Sequence, residues 1–90
     1  MARARLDELG AILDGLRGMP ELVEVSPGVF HVDRRAFLHF HESDTARSAD
    51  VRDGTDWGER IGLPLGPVSK TTSARFLQEV ERRLAATLTA

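Results

Sequence analysis

Leu6, Leu9, Leu13 and Leu16 recur at spacings of three and four, with Ile12 beside them. That period predicts an amphipathic helix from about Ala2 to Leu16. Asp7 and Glu8 near its start and Arg17 at its end suit the helix dipole, and Gly15, Gly18 and Pro20 stop it. Gly10 inside it costs about 1 kcal/mol against alanine and marks a place for close packing. The period then changes. Leu22-Val23-Glu24-Val25 and Val29-Phe30-His31-Val32 read as strands around a Ser26-Pro27-Gly28 turn. Ala36 to His41, Arg47 to Arg52 and Trp57 to Leu63 continue the series, with Asp53-Gly54-Thr55-Asp56 as a hairpin turn. Two prolines and a glycine make Leu63 to Pro67 a loop. A closing helix follows, capped by Thr71, Thr72 or Ser73. Phe76, Leu77, Val80, Leu84 and Leu88 form its buried stripe, with Arg75, Glu79, Arg82 and Arg83 largely outside.

The order α-β-β-β-β-β-α predicts one α+β domain over residues 1–90. It is an antiparallel sheet of four or five strands with the N-terminal and C-terminal helices packed on one face. Strand alternation then sorts the side chains. If Asp33-Arg34-Arg35 is a three-residue loop, Phe30 and Val32 share a face with Ala36, Leu38 and Phe40, and Ala49, Val51, Ile61 and Leu63 extend it. The opposite face then carries Val29, His31, Phe37, His39 and His41, with Asp50 and Arg52. All three histidines of the chain fall on that outer face.

Ninety residues hold one core, and charged residues at 29% are interleaved with an apolar 41%, which argues against disorder. The chain has no cysteine, which excludes disulfides and thiolate metal sites and fits a reducing, cytoplasmic setting. No apolar run approaches the length of a membrane span, and acidic residues interrupt what would be a signal-peptide core. Twelve Lys and Arg against fourteen Asp and Glu, without a basic stripe, make nucleic acid an unfavoured partner. From Glu42 to Glu59, most of the acids sit at turns, where aspartate is favoured locally. Asp53-Gly54-Thr55-Asp56 lacks the further ligands of a calcium loop. There is no Gly-x-Ser-x-Gly elbow and no glycine-rich phosphate loop.

The chemistry that remains is imidazole chemistry. His39 and His41 point the same way about 7 Å apart along one strand, with His31 on its neighbour. Two or three imidazoles with Asp50 or Glu42 have the donors for zinc or another divalent ion. A His–carboxylate pair such as His41 with Asp50 has the groups for general acid–base work. Trp57, the sole tryptophan, either covers the end of a thin core or walls a ligand cleft.

Arg35-x-x-x-His39-x-His41, following the Val/Phe-rich strand, resembles a strand of the small "luciferase domain" family of uncharacterised proteins. The Ala49-Asp50-Val51 segment, Trp57 at a strand start and the closing helix are also similar, over about two thirds of the chain from Pro27 onward. A helical insert that the family often carries before the tryptophan is missing here. The α-sheet-α order also resembles the YjbR class of DNA-binding domains. Both resemblances imply the fold, and neither implies an activity.

These observations favour a small non-enzymatic interaction or ligand-binding module. Its expected binding residues are His31, Phe37, His39, His41, Asp50 and Trp57, with no cofactor. Apolar Val29 and Phe37 on the outer face imply a cover for it, either a homodimer or another protein or small-molecule partner. The alternative is a metal-binding or metal-dependent enzyme domain, with His31, His39 and His41 as ligands to zinc or another divalent ion.

Overall fold

The computed structural model describes residues 5–90. The expected helix start at Ala2 lies outside the described residues. The leucine stripe folds in two pieces, a 3-10 turn over Leu6–Leu9 and α1 over Gly10–Arg17. Gly10 therefore begins the α-helix, and the space around it is open. The close approach falls at Gly15, where a β-carbon would collide with the Leu77 side chain. Leu77 belongs to α2, which spans Lys70–Leu88. Gly15 thus lets the two helices meet.

Six antiparallel strands follow: β1 (Val23–Ser26), β2 (Val29–Val32), β3 (Arg35–Glu42), β4 (Arg47–Asp53), β5 (Asp56–Trp57) and β6 (Ile61–Leu63). The spatial order is β1-β2-β3-β4-β5, and β6 also pairs with β4. Strand and helix order bear out the α+β architecture. The strand count exceeds four or five because Trp57 to Leu63 is two strands, broken over residues 58–60. Arg83 fills the break. Its Nη1 donates to the carbonyl oxygens of Val51 at 3.1 Å and Glu59 at 3.0 Å. Gly58 makes room for it, since a β-carbon there would meet the guanidinium. Arg83 is accordingly buried, not on the outer side of its helix. Leu88 is exposed instead, and the α2 cap is Ser69, whose hydroxyl accepts from Thr72 N at 3.1 Å.

The turn between β2 and β3 has two residues, not three. Asp33 (φ 49°) and Arg34 (φ 66°) both adopt left-handed conformations, as in a type I′ turn, and Val32 pairs with Arg35. A tight turn alone would put His39 on the Phe30 face. A β-bulge prevents this: His31 pairs with Ala36 but Phe30 pairs with Leu38, leaving Phe37 as the extra residue. Phe37 and Leu38 consequently both enter the core, fully buried. Ala36 moves to the outer face opposite His31, while Val29 pairs with His39 there. The faces expected for Phe30, Val32, Leu38, Phe40 and the three histidines hold. Those expected for Phe37 and Ala36 are reversed.

The core joins Leu9, Ile12, Leu13 and Leu16 to the inner sheet face and to Phe76, Val80 and Leu84 of α2. Phe40 packs on it with its ring centroid 6.1 Å from that of Phe76. Arg47 also points inward, in phase with Ala49 and Val51 on β4. Its side chain is 0% exposed and donates to Glu42 Oε1 at 2.8 Å, to the carbonyls of Pro64 at 3.0 Å and Gly66 at 2.8 Å, and to Glu8. One guanidinium thus ties the first turn, β3 and the proline loop together.

Candidate metal centre

Two adjacent strands build the outer-face site. In the β3–β4 ladder His39 faces Asp50 directly, and His41 faces Ser48 two pairs further along. Side chains two apart on a strand share a face, so both imidazoles lean over the same carboxylate. His41 Nε2 lies 2.8 Å from Asp50 Oδ2, and His39 Nε2 lies 3.8 Å from the same oxygen. The two rings meet edge to face at 4.7 Å between centroids. One donor atom from each of His39, His41 and Asp50 lies within 4.8 Å of the others, and each residue is half-buried.

Arginines frame the group. The β4–β6 register pairs Ala49 with Ile61, and its continuation sets Arg60 against Asp50. Arg60 Nε donates to Asp50 Oδ1 at 2.9 Å, and Nη2 reaches Oδ2 at 3.5 Å. Arg52 pairs with Trp57 across β4 and β5, and its guanidinium carbon sits 4.8 Å from the centroid of the indole. Trp57 meets His39 edge to face at 5.1 Å and remains 43% exposed, so it walls the histidines and does not cap the core.

The local field sets the protonation. Burial lowers the pKa of His39, the neighbouring His41 and Arg60 push the same way, and Asp50 opposes them. Neutral imidazole is the metal-binding form. Burial works against the charge of Asp50, but hydrogen bonds from Arg60 and His41 outweigh it and hold the carboxyl below its ordinary value. An ionised carboxylate only accepts, so Nε2 of His41 carries the hydrogen in that contact.

Of the six expected binding residues, the structure brings four together: His39, His41, Asp50 and Trp57. Phe37 is in the core and takes no part. His31 shares the outer face, paired with Val23 and Ala36, but stands outside the donor group. Among the described residues the donor atoms that gather are those of His39, His41 and Asp50, not those of the three histidines together. Glu42, the other carboxylate considered as a ligand, is bound to Arg47. Sequence reasoning missed Arg60 as a partner of Asp50, because Trp57 to Leu63 read as one strand that left its pairing with β4 unassigned. The sequence signal for Arg47 is its parity on β4, which is that of Ala49 and Val51.

No helix among the described residues is long and apolar enough to cross a membrane. No family model matches the chain, and no curated protein or solved structure matches it either.

Proposed function

We propose that this domain is a binding module that takes a divalent transition-metal ion on its outer sheet face through His39, His41 and Asp50. The observation that carries the proposal is the spacing of the donor atoms. An ion held tetrahedrally at about 2.0–2.1 Å needs its ligand atoms roughly 3.3 Å apart. The separations of Asp50 Oδ2 from His41 Nε2, 2.8 Å, and from His39 Nε2, 3.8 Å, bracket that value. Two nitrogens and one oxygen form a donor set for zinc, and three protein ligands leave a position open for a further ligand. The strand that resembles the luciferase domain supplies both histidines; kinship with that family is a proposal of its own. So is a cytoplasmic setting, which rests on the cysteine-free sequence.

The test is a zinc titration of untagged protein by calorimetry. One ion per chain is expected, with binding that weakens as pH falls, since the imidazoles hold a metal only in their neutral form and His41 must present Nε2 free of hydrogen, its proton on Nδ1. His41→Ala and Asp50→Asn should each weaken binding by about tenfold or more. Absence of binding, or binding indifferent to all three ligands, overturns the proposal.

A further inference from the structure

Asp50 cannot serve a metal ion and Arg60 in the same way at once. Its Oδ2 already receives His41, stands 3.8 Å from His39 and is 3.5 Å from Arg60 Nη2. An ion placed between the imidazoles and Oδ2 would sit beside the guanidinium, with like charges repelling across a short gap. Arg60 has somewhere to go. Its side chain is 62% exposed, and Asp50 is the partner that its side-chain hydrogen bonds reach. Arg52 is differently placed: it donates to the carbonyls of Ala36 at 2.9 Å and Thr55 at 3.0 Å while lying over Trp57. Metal entry would therefore weaken the hold of Asp50 on Arg60, first at the longer Nη2 contact with Oδ2, and make its guanidinium available at the rim of the site.

We infer that the metal-loaded site binds a small carboxylate, shared between the ion and Arg60. This rests on the metal proposal above. One carboxylate oxygen fills the open metal position, and the planar guanidinium fork takes the other. Arg60 thus changes partner, from the protein's own carboxylate to that of the ligand. In the metal-free protein Asp50 occupies Arg60, and carboxylate binding is weak. Metal and carboxylate consequently strengthen each other's binding by the same factor.

Cobalt(II) in place of zinc makes both events visible, because its d–d absorption responds to ligand number and geometry. The full chain is titrated with cobalt(II), then with benzoate as the probe. Wild type should bind one cobalt ion, and benzoate should then alter the spectrum saturably. Arg60→Ala should bind cobalt at least as well as wild type, having lost a competitor for Asp50, while its benzoate affinity falls by about tenfold. Arg60→Lys, which keeps the charge but lacks the fork, should fall between them, and circular dichroism checks that both variants fold. Cobalt binding with equal benzoate affinity in wild type and Arg60→Ala overturns this inference and leaves the metal proposal standing. Failure of cobalt to bind wild type overturns both.

Discussion

His39 is the side chain whose charge the surroundings most plainly resist. Burial, His41 and Arg60 all disfavour the imidazolium, and only Asp50 favours it. A lowered pKa means that the fold prefers the neutral ring. The stability due to this preference is complete above the ordinary value of 6.5 and is lost as pH falls through the lower value in the folded protein. Trp57 can report the event, because an imidazolium against an indole quenches its emission. Fluorescence followed from neutral to acid pH should show a fall with its midpoint below 6.5, and His39→Gln should abolish it. A midpoint above 6.5 would mean that Asp50 dominates the environment of His39. The shared face of His39 and His41 was legible from alternation alone, whereas the place of Arg60 depended on a strand break that alternation does not encode.

The hairpin of β2 and β3 shows why the outer face could be read correctly through a wrong connection. Two errors cancelled. A three-residue loop and a two-residue turn with one bulge give the same parity beyond the bulge, so His39 and His41 fall where alternation placed them. Residues between turn and bulge gain no such protection, and Phe37 and Ala36 are the ones misplaced. The turn itself was hard to see because its signature is Asn-Gly, and here Asp33-Arg34 adopts it. Arg34 at φ 66° bears the left-handed penalty of a residue with a β-carbon, about 1 kcal/mol. Arg34→Gly should relieve it, less the extra chain entropy of glycine, and raise stability by roughly 0.5 kcal/mol in urea unfolding. A loss of stability would show that the arginine side chain contributes more than its backbone costs.

For the molecule as a whole, the two buried arginines matter more than any surface pair. Arg47 holds Glu8, Glu42 and two loop carbonyls, and Arg83 holds two carbonyls and Glu79. Composition counts such residues as surface charge, and only the inward phase of Arg47 betrays it. Arg47→Met should destabilise the domain by about 3 kcal/mol, since it strands buried partners, against a total of roughly 5–15 kcal/mol for a protein of this kind. The acid limb of the stability curve should change with it. The hydrogen bond from Arg47, then that from the Arg5 backbone, hold Glu42 below its ordinary value of 4.5. That contribution is present above the ordinary value and is lost as pH falls through the lowered one. Denaturant titrations between neutral pH and pH near 3 should therefore show the deficit of Arg47→Met narrowing in acid. An unchanged deficit would mean that Glu42 takes little from Arg47. Glu79, held at about 2 by Arg82 and then Arg83, should keep its share in both proteins until still lower pH.

The bulge at Phe37 also bears on how this chain tolerates changes of length. Removing that one residue would leave Val32 opposite Arg35, His31 opposite Ala36, Phe30 opposite Leu38 and Val29 opposite His39, an unbroken ladder. Both faces would keep their side chains, and only one core ring would be lost. A deletion between His39 and Glu42 has no such slack, because every pair there is in strict register with β4. In a lineage of such domains, single-codon insertions and deletions in β3 should accumulate on the turn side of Leu38 and be purged on the histidine side.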